Sequence, residues 1–186
     1  MKLSYRLVSF GLFLASVVGM AFALYLQHYQ HLDPCPLCIF QRVGLMIMGL
    51  FALIAAIHNP KALWARRTYA GLAGLGMLWS TAVAARHVWL QHLPPEDVPA
   101  CGPGLDYWMN VFPMQEVVQK VLHGSGECAK VDWVWLGLSL PEWTLVMFSG
   151  IVLVCGAGTV QFLVQGKVYS GKELRERDST FNNSRQ

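Results

Sequence analysis

Residues 35–57 read CPLCIFQRVGLMIMGLFALIAAI, an apolar stretch that carries one charged side chain, Arg42. About 20 helical residues cross the ~30 Å hydrocarbon layer of a bilayer, so this stretch is long enough to span a membrane. Three further stretches share its length and its near-absence of charge: 7–27, 68–90 and 143–166. The sequence therefore predicts an all-α membrane protein built as a bundle of four transmembrane helices.

The composition of the chain agrees with a membrane protein. Of its 186 residues, 54% are hydrophobic and 13% are charged. A soluble globular protein carries about 25% charged residues. The net charge of +3 is too small to indicate a nucleic-acid partner. The expected surroundings are therefore membrane lipid.

The first apolar stretch has an alternative interpretation as a cleaved signal peptide. Lys2 and Arg6 precede an apolar run that reaches Ala21-Phe22-Ala23, a small-residue pattern typical of a cleavage site. The apolar core of a signal peptide has only about 7–15 residues, and the uncharged stretch continues well beyond Ala23. A membrane span that stays in the protein is therefore favoured.

The charged residues predict how the chain crosses the membrane, because basic residues collect in cytoplasmic segments. The connection 28–34 and the long loop 91–142 carry most of the acidic residues. We therefore expect cytoplasmic termini, a short first and a long second loop on the outer side, and a polar cytoplasmic tail over 167–186. The basic residues of the predicted cytoplasmic segments are Lys2, Arg6, Lys61, Arg66, Arg67, Lys167, Lys172, Arg175, Arg177 and Arg185.

Four of the five cysteines fall at the outer side. Cys35 and Cys38 form a C-x-x-C motif at the head of the second span, Cys101 and Cys128 lie in the long loop, and Cys155 lies inside the fourth span. The outer compartment permits disulfides, so an even set of four cysteines predicts two pairs. Cys155 is expected to be an apolar packing residue.

Several chemistries compete for the C-x-x-C motif. A c-type haem site needs a histidine after the second cysteine, where this chain has Ile39. A thioredoxin fold needs a βαβ context, and this motif opens an apolar helix. A zinc site of four thiolates and a static disulfide both remain open. A disulfide that closes so short a loop contributes little stability, so a redox role is favoured.

The surroundings of the motif favour thiolate chemistry. Asp33 is the predicted N-cap of the second span, with Pro34 or Pro36 near the first helical position. Cys35 and Cys38 then lie in the first turn, where unpaired N–H groups and the helix dipole favour a thiolate.

Arg42 and His87 are predicted to lie at the depth of Cys38. A charge inside the apolar zone is costly and indicates a function, either stabilising a thiolate or hydrogen-bonding a reducible carbonyl such as a quinone oxygen. An arginine that extends to the headgroups and a solvated histidine at a helix end both remain open.

Three further expectations concern packing. Residues 114–122 predict an amphipathic helix on the bilayer surface, with a partner-binding groove as the alternative. Ala70 and Gly74 are candidates for a close approach between helices. The expected aromatic belt at the outer interface consists of Trp133, Trp135 and Trp143.

Taken together, these motifs resemble the disulfide bond formation protein B (DsbB) family. The resemblance covers nearly the whole chain except the tail, and one departure is Gln41, where the best-known members have an acidic residue. The motifs that carry it are CPLCIFQR at 35–42, Arg86-His87, SGEC at 125–128 and LGLSLPEW at 136–143.

The resemblance implies a thiol:quinone oxidoreductase of the bacterial inner membrane, with 1–166 as the oxidase domain and the active cysteines on the periplasmic side. A periplasmic thioredoxin-like oxidase of the DsbA type would be the partner, and ubiquinone or menaquinone the electron acceptor. The Cys101–Cys128 disulfide would receive the partner's electrons, with Cys101 holding the mixed disulfide, and pass them to the Cys35–Cys38 disulfide. No metal is expected in this interpretation.

The resemblance also assigns roles around the quinone. Cys38 would lie nearest to the quinone ring, and Arg42 and His87 would bind the quinone. Two other protein classes remain as alternatives: a membrane scaffold with structural disulfides, and a zinc-binding membrane protein that uses the four outer cysteines.

Overall fold

Three long helices make up most of the part of the chain that the computed structural model describes, residues 5–153 and Gly156. The contacts among these helices and the loops between them lie within the compact unit Met1–Ser149. The helices and strands are α1 (Tyr5–Tyr29), α2 (Pro36–His58), α3 (Leu63–Gln91), α4 (Leu105–Val111), α5 (Met114–His123), α6 (Gly126–Ala129), β1 (Val134–Trp135), β2 (Leu138–Ser139) and α7 (Leu140–Leu153).

Among the described residues, two helices are long and apolar enough to cross a membrane, α1 and α2. Helix α3 has 29 residues, which is long enough to cross a membrane, but it is less apolar than α1 and α2. The described part of α7 ends at Leu153, so most of the predicted span 143–166, together with Cys155 and the tail, lies outside the described residues. The bundle of four membrane helices therefore stays a prediction.

Helix α2 begins at Pro36, whose missing N–H costs nothing at the first helical position. The N-cap is Cys35 and not Asp33, so the predicted N-cap is wrong. Cys35 has extended backbone (φ −64°, ψ 163°), and its carbonyl accepts the first helical hydrogen bond from Ile39 at 3.2 Å. Cys38 follows as the third helical residue.

Glycines let α2 pack closely against α3. A Cβ at Gly76 would lie 2.8 Å from the carbonyl oxygen of Gly44, and a Cβ at Gly44 would collide with Ser80 Oγ. Ser80 donates a 2.8 Å hydrogen bond to the carbonyl of Gln41 across the same contact. The predicted close approach at Gly74 is wrong, because a Cβ there would meet nothing within 4 Å.

The long outer loop folds over the ends of α2 and α3. The predicted amphipathic helix is confirmed as α5. Its predicted position on the bilayer surface is wrong, because Val117 and Val121 of its apolar face are buried against protein. Arg86 of α3 donates to the carbonyls of Leu122 (3.1 Å) and His123 (3.0 Å) at the end of α5. The buried cluster beneath the loop, here called the outer cluster, consists of Leu37, Val83, Leu90, Trp108, Val117, Val121 and Cys128.

A short hairpin leads the chain into α7. Strands β1 and β2 are antiparallel, and the turn between them uses positive φ at Leu136 (51°) and Gly137 (82°). Ser139 donates to Gln91 Oε1 at 2.8 Å, which joins the hairpin to the end of α3. The start of α7 is thereby fixed beside the outer end of α3.

Candidate thiol site and cavity

Two cysteine thiols flank one buried histidine at the outer end of the helices. Cys35 Sγ lies 3.7 Å from His87 Nε2, and Cys38 Sγ lies 3.9 Å from His87 Nδ1. His87 is only 3% exposed. The start of α2 therefore places the C-x-x-C pair against the imidazole ring of His87 in α3. This agrees with the prediction that His87 lies at the depth of Cys38.

The third thiol meets this pair from the loop side. Cys128 lies in α6, is 1% exposed and has Ser125 Oγ at 3.7 Å from its sulfur. A hydrogen bond with Cys35, reinforced by burial, raises the pKa of the Cys128 thiol far above its ordinary value. This raised pKa favours the protonated thiol of Cys128 as long as Cys35 is also a free thiol.

The fourth thiol, Cys101, is exposed at the protein surface. Its segment runs beside the start of α6, where Gly126 N–H donates to the carbonyl of Ala100 at 3.4 Å. A Cβ at Gly126 would lie 3.0 Å from Cys101 Sγ and 2.7 Å from the carbonyl oxygen of Pro99. Only glycine allows the Cys101 segment to lie this close to the residues that precede Cys128. All four of these cysteines are unbridged thiols in the structure.

A cavity of about 480 Å³ opens beside the C-x-x-C pair. Arg42 reaches it from α2 and is held by α1, with its guanidinium donating to Gln27 Oε1 at 2.6 Å and to the carbonyl of Ala23 at 3.3 Å. Most of the remaining wall is apolar. The apolar part includes Phe22, Leu26, Leu45, Trp143, Met147 and Phe148. The charged residues Asp33, Glu127, Lys130 and Asp132 also line the cavity.

Gln41 links three helices behind the thiols. It is 5% exposed, and its side-chain amide lies 3.4 Å from His87 Nδ1 and 3.1 Å from Thr144 Oγ1. Sequence reasoning noted Gln41 only as a departure from an acidic residue and missed Thr144 and Gln27 entirely. The available signal was that Gln41, three residues after Cys38, is a polar residue on the same helix face.

The predicted site residues therefore converge. Cys35, Cys38, Arg42 and His87 all line the cavity, and Cys128 contacts Cys35. Cys101 lies apart at the surface, next to the segment of Cys128.

Apolar helices long enough to span a bilayer, combined with thiols gathered around a buried histidine, define a membrane protein of the thiol–disulfide type. The chain belongs to the DsbB family, since residues 5–158 match the family model described as Disulfide bond formation protein DsbB. It is therefore a disulfide-bond-formation protein with an oxidoreductase character.

The chain is closely similar to curated members of this family. It is 63% identical over 155 residues to Disulfide bond formation protein B of Acinetobacter baumannii, covering 83% of this chain and 91% of that protein. It is 62% identical over 155 residues to the protein of that name from Acinetobacter baylyi, with the same coverage of 83% and 91%. The corresponding Psychrobacter protein is 56% identical over 153 residues, covering 82% and 90%.

Proposed function

We propose that this protein is a four-span thiol:quinone oxidoreductase of the bacterial inner membrane that reoxidises a periplasmic DsbA-type dithiol protein. The observation that carries the proposal is the position of Cys35, which contacts Cys38 and His87 on one side and Cys128 on the other. A residue in contact with both partners can exchange disulfides between an outer pair and an inner pair.

The first exchange takes place at the surface. A thiolate of the partner attacks Cys101 in a Cys101–Cys128 disulfide, forming a partner–Cys101 bond and releasing Cys128 as the leaving thiolate. The exposure of Cys101 supports this choice, because exchange requires access to the attacked sulfur. The partner's second thiol then attacks the mixed disulfide, leaving the partner oxidised and Cys101 reduced.

The second exchange runs through Cys35. Cys128 attacks Cys35 in the Cys35–Cys38 disulfide, so a Cys128–Cys35 bond forms and Cys38 leaves as a thiolate. Cys101 then attacks Cys128, which restores the outer disulfide and releases Cys35. Both electrons now reside in the Cys35–Cys38 dithiol, and no electron has been lost or gained overall.

The cavity beside this dithiol has the properties of a quinone site. Its volume of about 480 Å³ falls in the range of ~300–1,000 Å³ that small-molecule sites occupy, and a few polar groups converge within an apolar wall. A bound ubiquinone or menaquinone would supply a two-electron, two-proton acceptor. The residues that would hold it are Arg42 and His87.

The protein's own groups serve the last step by position and charge. Arg42 is anchored by Gln27 and Ala23, so its cation stays in the cavity, where negative charge on an oxygen or on Cys38 is favoured. His87 lies against both sulfurs and can accept a proton as the Cys35–Cys38 disulfide re-forms.

An anaerobic assay tests the proposal. Purified protein in detergent is mixed with a reduced DsbA-type partner and a soluble ubiquinone analogue, and the quinone absorbance is followed. The wild type and a Cys155→Ser control are expected to reduce the quinone, whereas Cys38→Ser and Cys101→Ser are expected to lose at least about 99% of the rate, as removal of a covalent catalyst usually does.

Partner oxidation measured in the same reactions separates the two ends of the relay. With a partner variant that lacks its second thiol, Cys38→Ser is expected to form a trapped mixed disulfide through Cys101, and Cys101→Ser is not. A wild-type protein that binds the quinone analogue and leaves it oxidised in the presence of the reduced partner contradicts the proposal.

A further inference from the structure

The sulfurs of the C-x-x-C pair and the ring of His87 form a compact set of metal donors. One donor atom from each of Cys35, Cys38 and His87 lies within 4.8 Å of the other two. In a tetrahedral zinc site, metal–ligand lengths of ~2.3 Å to sulfur and ~2.0 Å to nitrogen bring sulfur and nitrogen to about 3.5 Å from one another. Cys35 Sγ lies 3.7 Å from His87 Nε2, which is only slightly longer. Cys38 Sγ lies 3.9 Å from the other ring nitrogen, Nδ1, so binding through Nε2 requires a small movement of Cys38 Sγ towards that nitrogen.

We propose that the reduced Cys35–Cys38 pair, together with His87, binds one thiophilic divalent cation such as Zn²⁺. Thiolate and imidazole are the donors that such an ion prefers. This donor set differs from a site of four outer cysteines, since it uses one histidine and leaves Cys101 out.

The surroundings of His87 support a ligand role. A histidine that binds a metal usually hydrogen-bonds its other ring nitrogen to a carbonyl or carboxylate. The side-chain amide of Gln41 lies 3.4 Å from His87 Nδ1, and turning that amide directs its oxygen to an Nδ1–H. His87 Nε2, which faces Cys35, is then the nitrogen left for the metal.

Access to the site and an open coordination position are also present. Cys35, Cys38 and His87 all line the 480 Å³ cavity, so an ion can enter and a water molecule can complete four ligands. Binding displaces the two thiol protons and transfers no electron. Only the dithiol state can take up the ion, because the sulfurs of a disulfide have no thiolate charge to offer.

The proposed function gives this site a consequence. An ion held by both thiolates keeps them from forming the Cys35–Cys38 disulfide, so Zn²⁺ is expected to inhibit quinone reduction reversibly. This consequence rests on the proposed function, whereas metal binding itself does not.

Binding is measured on the full-length protein in detergent, without quinone or partner, by titrating Zn²⁺ against a competing fluorescent chelator. The reduced wild type is expected to bind one equivalent, and the oxidised protein to bind at least about 100-fold more weakly. Cys38→Ser and His87→Asn are expected to weaken binding at least tenfold, and Gln41→Leu about tenfold. His92→Asn and Cys155→Ser, which change the same residue types elsewhere, are the matched controls.

A second measurement needs no variant and so does not depend on how the variants fold. Zn²⁺ is expected to protect Cys35 and Cys38 of the reduced wild type from alkylation and to leave Cys101 reactive, as read by peptide mass spectrometry. Protection of Cys101, or one-equivalent binding that survives both Cys38→Ser and His87→Asn, overturns the proposal. Zinc binding of the expected pattern in a protein that fails to reduce quinone would refute the proposed function alone.

Discussion

The side-chain amide of Gln41 lies 3.4 Å from Nδ1 of His87, deep in the contact between α2 and α3. The same amide is hydrogen-bonded to Thr144, so it fixes the imidazole relative to α7 as well. In a neutral histidine, the hydrogen bond made by one ring nitrogen determines whether the other ring nitrogen carries a proton. Gln41 is therefore a positioning residue for the histidine that contacts both thiols.

The first prediction concerns this contact. Gln41→Leu is expected to lower the rate of quinone reduction about tenfold, because the His87 ring loses its partner and its preferred tautomer. It is also expected to destabilise the protein by about 1–3 kcal/mol, since buried polar groups on two neighbours lose a partner. Gln41→Glu retains an acceptor and is expected to recover most of the rate, with a changed pH profile. Equal rates for Gln41→Leu and the wild type would refute the positioning role.

A second prediction concerns the packing of α2 on α3. Gly44→Ala is expected to destabilise the protein by about 1–3 kcal/mol, because the new Cβ collides with Ser80 Oγ and with the carbonyl oxygen of Gly76 at 2.5 Å. Gly74→Ala is the matched control in the same pair of helices, since its Cβ meets nothing within 4 Å. That control is expected to be neutral or stabilising by up to about 1 kcal/mol through helix propensity. Thermal unfolding in detergent distinguishes the two.

The third prediction concerns the two loop thiols in the fully reduced, chelator-treated protein. Iodoacetamide is expected to modify Cys101 at least tenfold faster than Cys128, because Cys101 is exposed and Cys128 is 1% exposed. The raised pKa of Cys128 adds to the difference, since a higher pKa leaves less thiolate at neutral pH. Its modification rate should therefore keep rising with pH beyond the ordinary thiol pKa of about 8.5.

Cys35→Ala provides the control for that experiment. Removing the thiol that hydrogen-bonds to Cys128 removes the largest cause of its raised pKa, so Cys128 should react faster at neutral pH in this variant. A Cys128 rate that does not respond to the loss of Cys35 contradicts the contact between these residues.

The fourth prediction concerns how α5 is attached. Arg86→Met is expected to increase hydrogen exchange about tenfold or more at the end of α5, since two carbonyls lose a charged donor. The cation also stacks on Trp89, at 4.0 Å from the ring centre, and a methionine keeps much of the packing while removing the charge. Arg67→Met, on the exposed side of the other end of α3, is the matched control and should leave exchange at α5 unchanged.

Local sequence patterns predicted the helices and most of the site residues. They did not predict features that depend on contacts between distant parts of the chain. The apolar runs predicted α1 and α2, and the spacing of apolar residues predicted α5, because each pattern is confined to one segment. The sequence also predicted that Arg42 lies at the depth of Cys38, and both residues line the cavity.

The remaining contacts are between residues far apart in the chain. No local pattern in the sequence indicates that Thr144 bonds to Gln41, that Gln27 holds Arg42, or that Cys128 meets Cys35. The N-cap was misplaced for a different reason. Asp33 has the preferred capping side chain, but the two prolines at 34 and 36 restrict the backbone, and the helix starts at the second of them.

The helix boundary in α2 divides the C-x-x-C pair mechanically. Cys38 lies within helix α2, whose backbone hydrogen bonds hold the backbone of Cys38 in place. Cys35 lies one residue before the helix, at the end of an irregular segment. The position of its sulfur therefore depends on its own backbone angles, whereas the position of Cys38 depends on the helix. The motif thus combines one sulfur whose backbone is fixed within the helix with one whose position depends on the φ, ψ and side-chain angles of Cys35.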